Sequence, residues 1–118
     1  MITNNQKEIN YSQLRILVLD DDMFMLEFII ELLSELGLTD VLTDTDGAQA
    51  LLTTQEHAPN VIICDLKMPN MDGVEFLRML AEQGYTGGII LITGENINIL
   101  KAAERLVLTY NLNLLGVL

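Results

Sequence analysis

Four side chains in this sequence end apolar runs in a way that could do chemistry together. Asp20 and Asp21 follow Arg15-Ile16-Leu17-Val18-Leu19, Asp65 follows Val61-Ile62-Ile63-Cys64, and Thr93 follows Ile89-Ile90-Leu91-Ile92. A carboxylate that closes a buried strand is costly unless it has a ligand. Three carboxylates on neighbouring strand ends repel one another and raise a pKa unless a cation sits among them. Mg²⁺ suits such a group because it takes few carboxylates, keeps several waters and bridges to phosphoryl oxygens. The chemistry open to these residues is therefore to hold a divalent cation and, through it, a phosphoryl group, with the Thr93 hydroxyl in reach as a donor.

The elements that must position them follow from hydrophobic periodicity. Met25, Leu26, Ile29, Leu32, Leu33 and Leu36 recur at three- and four-residue spacing after Asp22, and Gly37 closes this first helix. Residues 40–45 read as a short strand. Asp46-Gly47 opens a second helix carrying Ala50, Leu51 and Leu52 and closed before Pro59, with His57 in a polar turn. A third helix runs from about Val74 to Glu82 with Phe76, Leu77 and Leu80 inward, and Gly84 lies just past it. Residues 96–111 read as a fourth helix with Ile97, Leu100, Ala103, Leu106 and Val107 on one face, and residues 114–118 as a fifth strand.

Four strand-helix units and a closing strand imply an α/β fold: a doubly wound, five-stranded parallel sheet with right-handed crossovers and helices on both faces. In such sheets ligands bind beyond the carboxyl ends of the strands, where the acids and Thr93 lie. Four helices cover five strands poorly, so the expectation is a further helix beyond Leu118 in a longer protein, or an oligomer that shields the bare face. Residues 1–13 are polar and without period and are expected to fray, which leaves residues 14–118 as one domain.

Composition narrows the function. The chain has 118 residues, 50% of them hydrophobic, enough for a single packed core. A net charge of -11 leaves no basic face for nucleic acid or for anionic membranes, so neither is an expected partner. One cysteine, Cys64, excludes an internal disulfide and fits a reducing cytoplasm, with the thiol buried as a small hydrophobe. The longest apolar stretch, from Met23 to Leu33, is broken by Glu27 and Glu31, so no membrane span is expected. Met23, Met25, Met68, Met71 and Met79 read as packing residues.

Taken in order, Ile16-Leu17-Val18-Leu19-Asp20-Asp21-Asp22, Asp65-Leu66-Lys67-Met68-Pro69-Asn70-Met71-Asp72-Gly73 and Ile89-Ile90-Leu91-Ile92-Thr93-Gly94 resemble the receiver domain of two-component response regulators, over nearly the whole chain. That resemblance implies a flavodoxin-like strand order of 2-1-3-4-5. It implies Asp65 as phospho-acceptor, with Asp20, Asp21, Asp65 and the Lys67 backbone carbonyl holding Mg²⁺ and Thr93 as the switch hydroxyl. The partners it implies are a sensor histidine kinase as donor and a C-terminal output domain or partner protein, with a homodimer as a further form. Residues 73–78 and 112–118 also look like receivers joined to EAL-type cyclic-di-GMP phosphodiesterase domains.

The sequence departs from the receiver pattern at its end. Such receivers carry a lysine just after the fifth strand, and none of the six basic residues here, Lys7, Arg15, Lys67, Arg78, Lys101 and Arg105, occupies that place. The usual aromatic of the fifth strand is replaced by Leu115, Val117 and Leu118. Plainer roles stand beside the functional ones: Asp22 as N-cap of the first helix, Asp20 or Asp21 as capping acids, Asp65 as a turn residue, and Thr93 as an ordinary strand residue. Gly94 either makes room for a phosphoryl group or is a turn, and Asp72-Gly73 reads as a turn and helix start. Two other functions compete: a haloacid-dehalogenase-like phosphatase using Asp20-Asp21-Asp22 as an Asp-x-Asp nucleophile, and a receiver-like module that dimerises without phosphorylation.

Overall fold

The computed structural model describes residues 13–68, 73–92, 94 and 97–118. Five strands and four helices alternate: β1 (Ile16–Leu19), α1 (Met23–Glu35), β2 (Val41–Asp44), α2 (Gly47–His57), β3 (Val61–Asp65), α3 (Gly73–Gln83), β4 (Gly88–Ile92), α4 (Ile97–Tyr110) and β5 (Asn113–Val117). The strands form one sheet in the order β2-β1-β3-β4-β5, and every pairing is parallel. This is the expected doubly wound, flavodoxin-like topology. Residues 1–12 of the tail expected to fray, residues 69–72 of the expected turn with Met71 and Asp72, Thr93, and Asn96, the first residue assigned to the fourth helix, all lie outside the described residues.

The apolar central strands β1, β3 and β4 are largely buried because helices lie on both faces of the sheet there, whereas the edge strands β2 and β5 are not. On one face Leu17, Leu19, Ile62, Cys64, Ile89 and Leu91 pack with Ala50 and Leu51 of α2, Phe76, Leu77 and Leu80 of α3 and Ala103 of α4. On the other, Ile16, Val18 and Ile63 pack with Leu26 of α1, and Ile29, Leu33, Ile90 and Ile92 only partly close that side. The inward face expected for α3 is the one observed. Sealing Phe76 from water contributes on the order of 2–3 kcal/mol.

The first helix departs from its expected pattern. Leu26 is its one buried residue, whereas Met25, Leu32 and Leu36 face outward with Met23, Phe24 and Phe28. Met23 and Met25 are therefore not packing residues; Met68 is buried and Met79 packs against the core. The cause is that α1 is apolar at almost every position, so spacing alone admits several overlapping stripes and only the contact with β1 selects Leu26, Ile29 and Leu33. Two smaller corrections have the same origin in packing. Leu52 and Ile97 are exposed rather than inward, and His57 is the last residue of α2 rather than part of a turn.

Candidate functional site

The strand order places β1 between β2 and β3, so the chain leaves β1 toward one neighbour and meets β3 on the other side. At that switch point Leu19 pairs with Cys64, and the next residues of both strands, Asp20 and Asp65, stand side by side at the carboxyl edge. Asp20, Asp21 and Asp65 each offer an oxygen to one group in which all the atoms lie within 4.8 Å of one another. Asp20 is buried, Asp65 half-buried and Asp21 exposed. The cluster is thus rooted in the fold and open to solvent on one side.

Local backbone fixes two of the three. Asp20 Oδ1 accepts the Asp22 N–H at 2.9 Å, and Asp65 Oδ1 accepts the Lys67 N–H at 3.0 Å. The third acid of the triplet turns away: Asp22 Oδ1 accepts from the N–H groups of Phe24 at 2.9 Å and Met25 at 3.4 Å and so caps α1. Asp20 and Asp22 consequently do not face one substrate together, which removes the geometry that an Asp-x-Asp nucleophile pair needs. Gly73 holds the far side of the loop. Its N–H donates to the Leu66 carbonyl at 3.0 Å, and a Cβ there would collide with the Leu66 Cα, so the helix start expected at this glycine is also a close approach behind Asp65.

Burial and crowding set the electrostatics. Desolvation first, then the neighbouring charges of Asp65, Asp21 and Asp22, push the Asp20 carboxyl up to about 6 against the pull of the Asp22 N–H. Burial and the charge of Asp21 raise Asp65 as well, opposed by the Lys67 N–H, the Asp20 carboxyl and the Lys67 ammonium. Crowded, desolvated carboxyls of this kind are relieved either by protonation or by a bound cation. The Lys67 side chain is exposed, and its charge is nonetheless felt at Asp65. Burial drives the Cys64 thiol far above its usual range, and its Sγ lies 3.4 Å from the Asp65 carbonyl oxygen, so it is a packing residue and not a nucleophile.

Thr93 lies outside the described residues; its neighbour Gly94 adopts φ 60° with nothing within 4 Å of where a Cβ would stand. One acid went unremarked in the sequence. Asp44 ends β2 at the same edge, its carbonyl accepts the Asp20 N–H at 3.2 Å, and its Oδ2 is buried without a hydrogen-bond partner among the described residues. The available signal was that β2, like β1 and β3, runs into an acid at its carboxyl end.

Residues 16–108 match the family model described as the response regulator receiver domain. The chain belongs to that family. A protein-glutamate methylesterase/protein-glutamine glutaminase of Koribacter versatilis is 39% identical to this receiver over 79 residues, 66% of this chain and 22% of the relative. Chemotaxis protein CheY of Bacillus subtilis is 35% identical over 77 residues, 65% of this chain and 64% of that protein. Among solved structures, the chemotaxis protein CheY4 of Vibrio cholerae superposes with a TM-score of 0.74 at 27% identity, over 89% of this chain and 84% of that one. The chain spans about a fifth of the length of the methylesterase relative. The narrower likeness to receivers joined to phosphodiesterase domains has no counterpart among these three. Family membership also decides against the dehalogenase-like alternative. No described helix is long and apolar enough to cross a membrane.

Proposed function

We propose that this receiver domain takes a phosphoryl group on Asp65 and passes the resulting change to a partner. The observation that carries the reading is the three-carboxylate group at the β1–β3 switch point, with Asp65 half-buried and fixed by the Lys67 N–H. An Asp65 carboxylate oxygen forms the new P–O bond as the donor's bond to phosphorus breaks; the donor keeps the electron pair and takes up a proton, and an acyl phosphate results.

The donor set fits Mg²⁺: all-oxygen, carboxylate-rich, with mutual repulsion that a cation would relieve. Asp20, Asp21, Asp65 and the Lys67 backbone carbonyl would hold it. When bound it supplies charge neutralisation and polarises the phosphoryl oxygens. The protein's own part is to aim Asp65 from a rigid strand, to keep Asp20 low in the site through the Asp22 N–H, and to answer the new charge. Thr93 is the hydroxyl assigned to that answer, donating to a phosphoryl oxygen and drawing the loop before α4 with it. The Lys67 ammonium, already felt at Asp65, is the cation of this chain placed to share the load.

A sensor histidine kinase is the fitting donor and an output domain or separate partner the receiver of the signal; the kinase and the single reduced thiol Cys64 fit the cytoplasm. The apolar side chains that α1 exposes next to the acids, Phe24 and Phe28 foremost, suit contact with a protein surface. The same exposure favours a second reading, a module that dimerises through α1 whatever the state of Asp65.

Intact mass after incubation with acetyl phosphate and Mg²⁺, with Asp65→Asn alongside, tests the proposal. The expected result is a gain of one phosphoryl group in the parent, abolished by EDTA and absent in D65N. A gain in D65N as well would move the acceptor elsewhere, and no gain in either would remove the phospho-acceptor reading. Self-association equal in the parent and D65N, with no phosphoryl gain, would favour the dimerising module.

A further inference from the structure

The outer faces of α1 and α4 carry opposite charges at the same spacing. On α1, Glu27, Glu31 and Glu35 recur every fourth residue and are all exposed, so they form one row with steps of about 6 Å along the helix. Phe24 and Phe28 each stand three residues before a glutamate of that row, hence beside it, and both are largely exposed. The helix contains no basic residue, and none of the three glutamates has an ion-pair partner among the described residues.

On α4, Ile97, Lys101 and Arg105 likewise recur every fourth residue, and Leu108 follows one turn later on the same side. All four are exposed, so two cations stand about 6 Å apart between two apolar side chains. Arg15 and Arg78 are already engaged, by Asp40 and by Glu75 and Glu82, whereas Lys101 and Arg105 have no ion-pair partner among the described residues. Glu104 flanks this stripe, which keeps a surplus of positive charge.

Leu26 of α1 and Ala103 of α4 belong to the cores on opposite faces of the sheet, so the two rows can meet only between copies of the chain. Equal spacing lets both cations oppose two glutamates at once, and every such register includes Glu31, the middle of the row. The net charge of -11 repels copies at a distance, but salt at about 0.1 M screens that repulsion beyond about 10 Å, whereas the rows act at side-chain range. From this complementarity we infer that α1 of one copy docks on α4 of the next, with the apolar side chains of both faces closing the contact. Such a contact is heterologous: each assembly keeps a free α1 at one end and a free α4 at the other, so growth continues past the dimer. It uses no property of Asp65 and is independent of the phospho-acceptor reading.

The test is sedimentation velocity of the whole chain over a concentration series, without Mg²⁺ or a phosphodonor, beside two charge-reversed variants at exposed positions. One carries Glu27→Lys, Glu31→Lys and Glu35→Lys together; the other carries Lys101→Glu and Arg105→Glu. The parent is expected to grow beyond dimers as concentration rises, and each variant alone to associate about tenfold more weakly or worse. Mixed in equal amounts the two variants should regain association, because a reversed α1 row then faces a reversed α4 row. The α1 variant decides the sign: it makes the chain less negative, so relief of general repulsion alone would strengthen its association. Far-UV circular dichroism checks folding, and Glu31→Lys alone, the position common to every register, should weaken association about threefold if the triple reversal unfolds. An α1 variant that associates as well as the parent, a mixture of folded variants that regains nothing, or a parent that stays monomeric or stops at the dimer would overturn the inference.

Discussion

The two faces of the sheet are built from the same kinds of residue and finished to different degrees. Beneath α2, α3 and α4, Leu17, Leu19, Ile62, Cys64, Phe76, Leu77, Leu80, Ile89 and Leu91 are all at 0% exposure. On the α1 side the core shrinks to Ile16, Val18, Leu26 and Ile63, while Phe24 stands at 83%, Phe28 at 56% and Leu115 at 54% exposure. One face is a closed interior that holds the strands in register; the other leaves apolar surface beside the acids. Stability should therefore be concentrated on the first face and the capacity for contact on the second.

The largest effect that tests this contrast is Phe76→Ala, expected to cost about 3–5 kcal/mol through lost burial and the cavity left behind. Against a total stability of about 5–15 kcal/mol that can unfold much of the protein, so Phe76→Leu, at about 1–1.5 kcal/mol, keeps the measurement in range. Urea midpoints read both. A cost below about 0.5 kcal/mol for Phe76→Leu would mean that the closed face is not where stability resides.

The rim between the faces gives an intermediate effect, and one with a sign. In the metal-free protein Asp20 stays protonated up to about 6, whereas the unfolded carboxyl releases its proton near 3.8. The folded state thus binds the extra proton across that interval, and stability falls as pH rises through about 6. The loss is on the order of 3 kcal/mol. Asp20→Asn keeps an acceptor for the Asp22 N–H but carries no charge, so its stability should fall less over the same interval, with the raised Asp65 carboxyl contributing what remains. Mg²⁺ should restore the parent at about pH 7.5 and do little at about pH 5, where protons compete for the same oxygens. Thermal melts at several pH values check this; a stability that climbs from pH 4 to 7 without metal would contradict the crowded, desolvated cluster.

How much of this was legible in the sequence differs between the same two regions. The strand ends were readable because a short apolar run closed by Asp20 or Asp65 admits few alternatives; alternation indicated a parallel sheet, and the strand order that brings them together came from the resemblance to receiver domains. The inward residues of α3 were readable because Phe76, Leu77 and Leu80 are its clear apolar stripe. The α1 face was not, since a helix with apolar residues on nearly every side has no single stripe to read. The buried Oδ2 of Asp44 depends on what surrounds the end of β2, which no local pattern encodes. The left-handed turn that ends α2 at Ala58 was not readable either, because alanine gives no warning of positive φ.

The smallest effect is the one that most sharpens the contrast between faces. Phe24 and Phe76 are the same residue type, at 83% and 0% exposure. Replacing Phe24 with Ser removes almost no buried surface, and its position just after the cap leaves the Asp22 side chain free to accept the residue-24 N–H, which every residue but proline retains. Folding stability should change by no more than about 0.5 kcal/mol in a urea melt. What should change is association: sedimentation of F24S at high protein concentration is expected to show less self-association than the parent, because an exposed aromatic contributes to contact only when something covers it. A destabilisation of about 1 kcal/mol or more would show instead that Phe24 belongs to the fold, and the open face would have to be drawn elsewhere on α1.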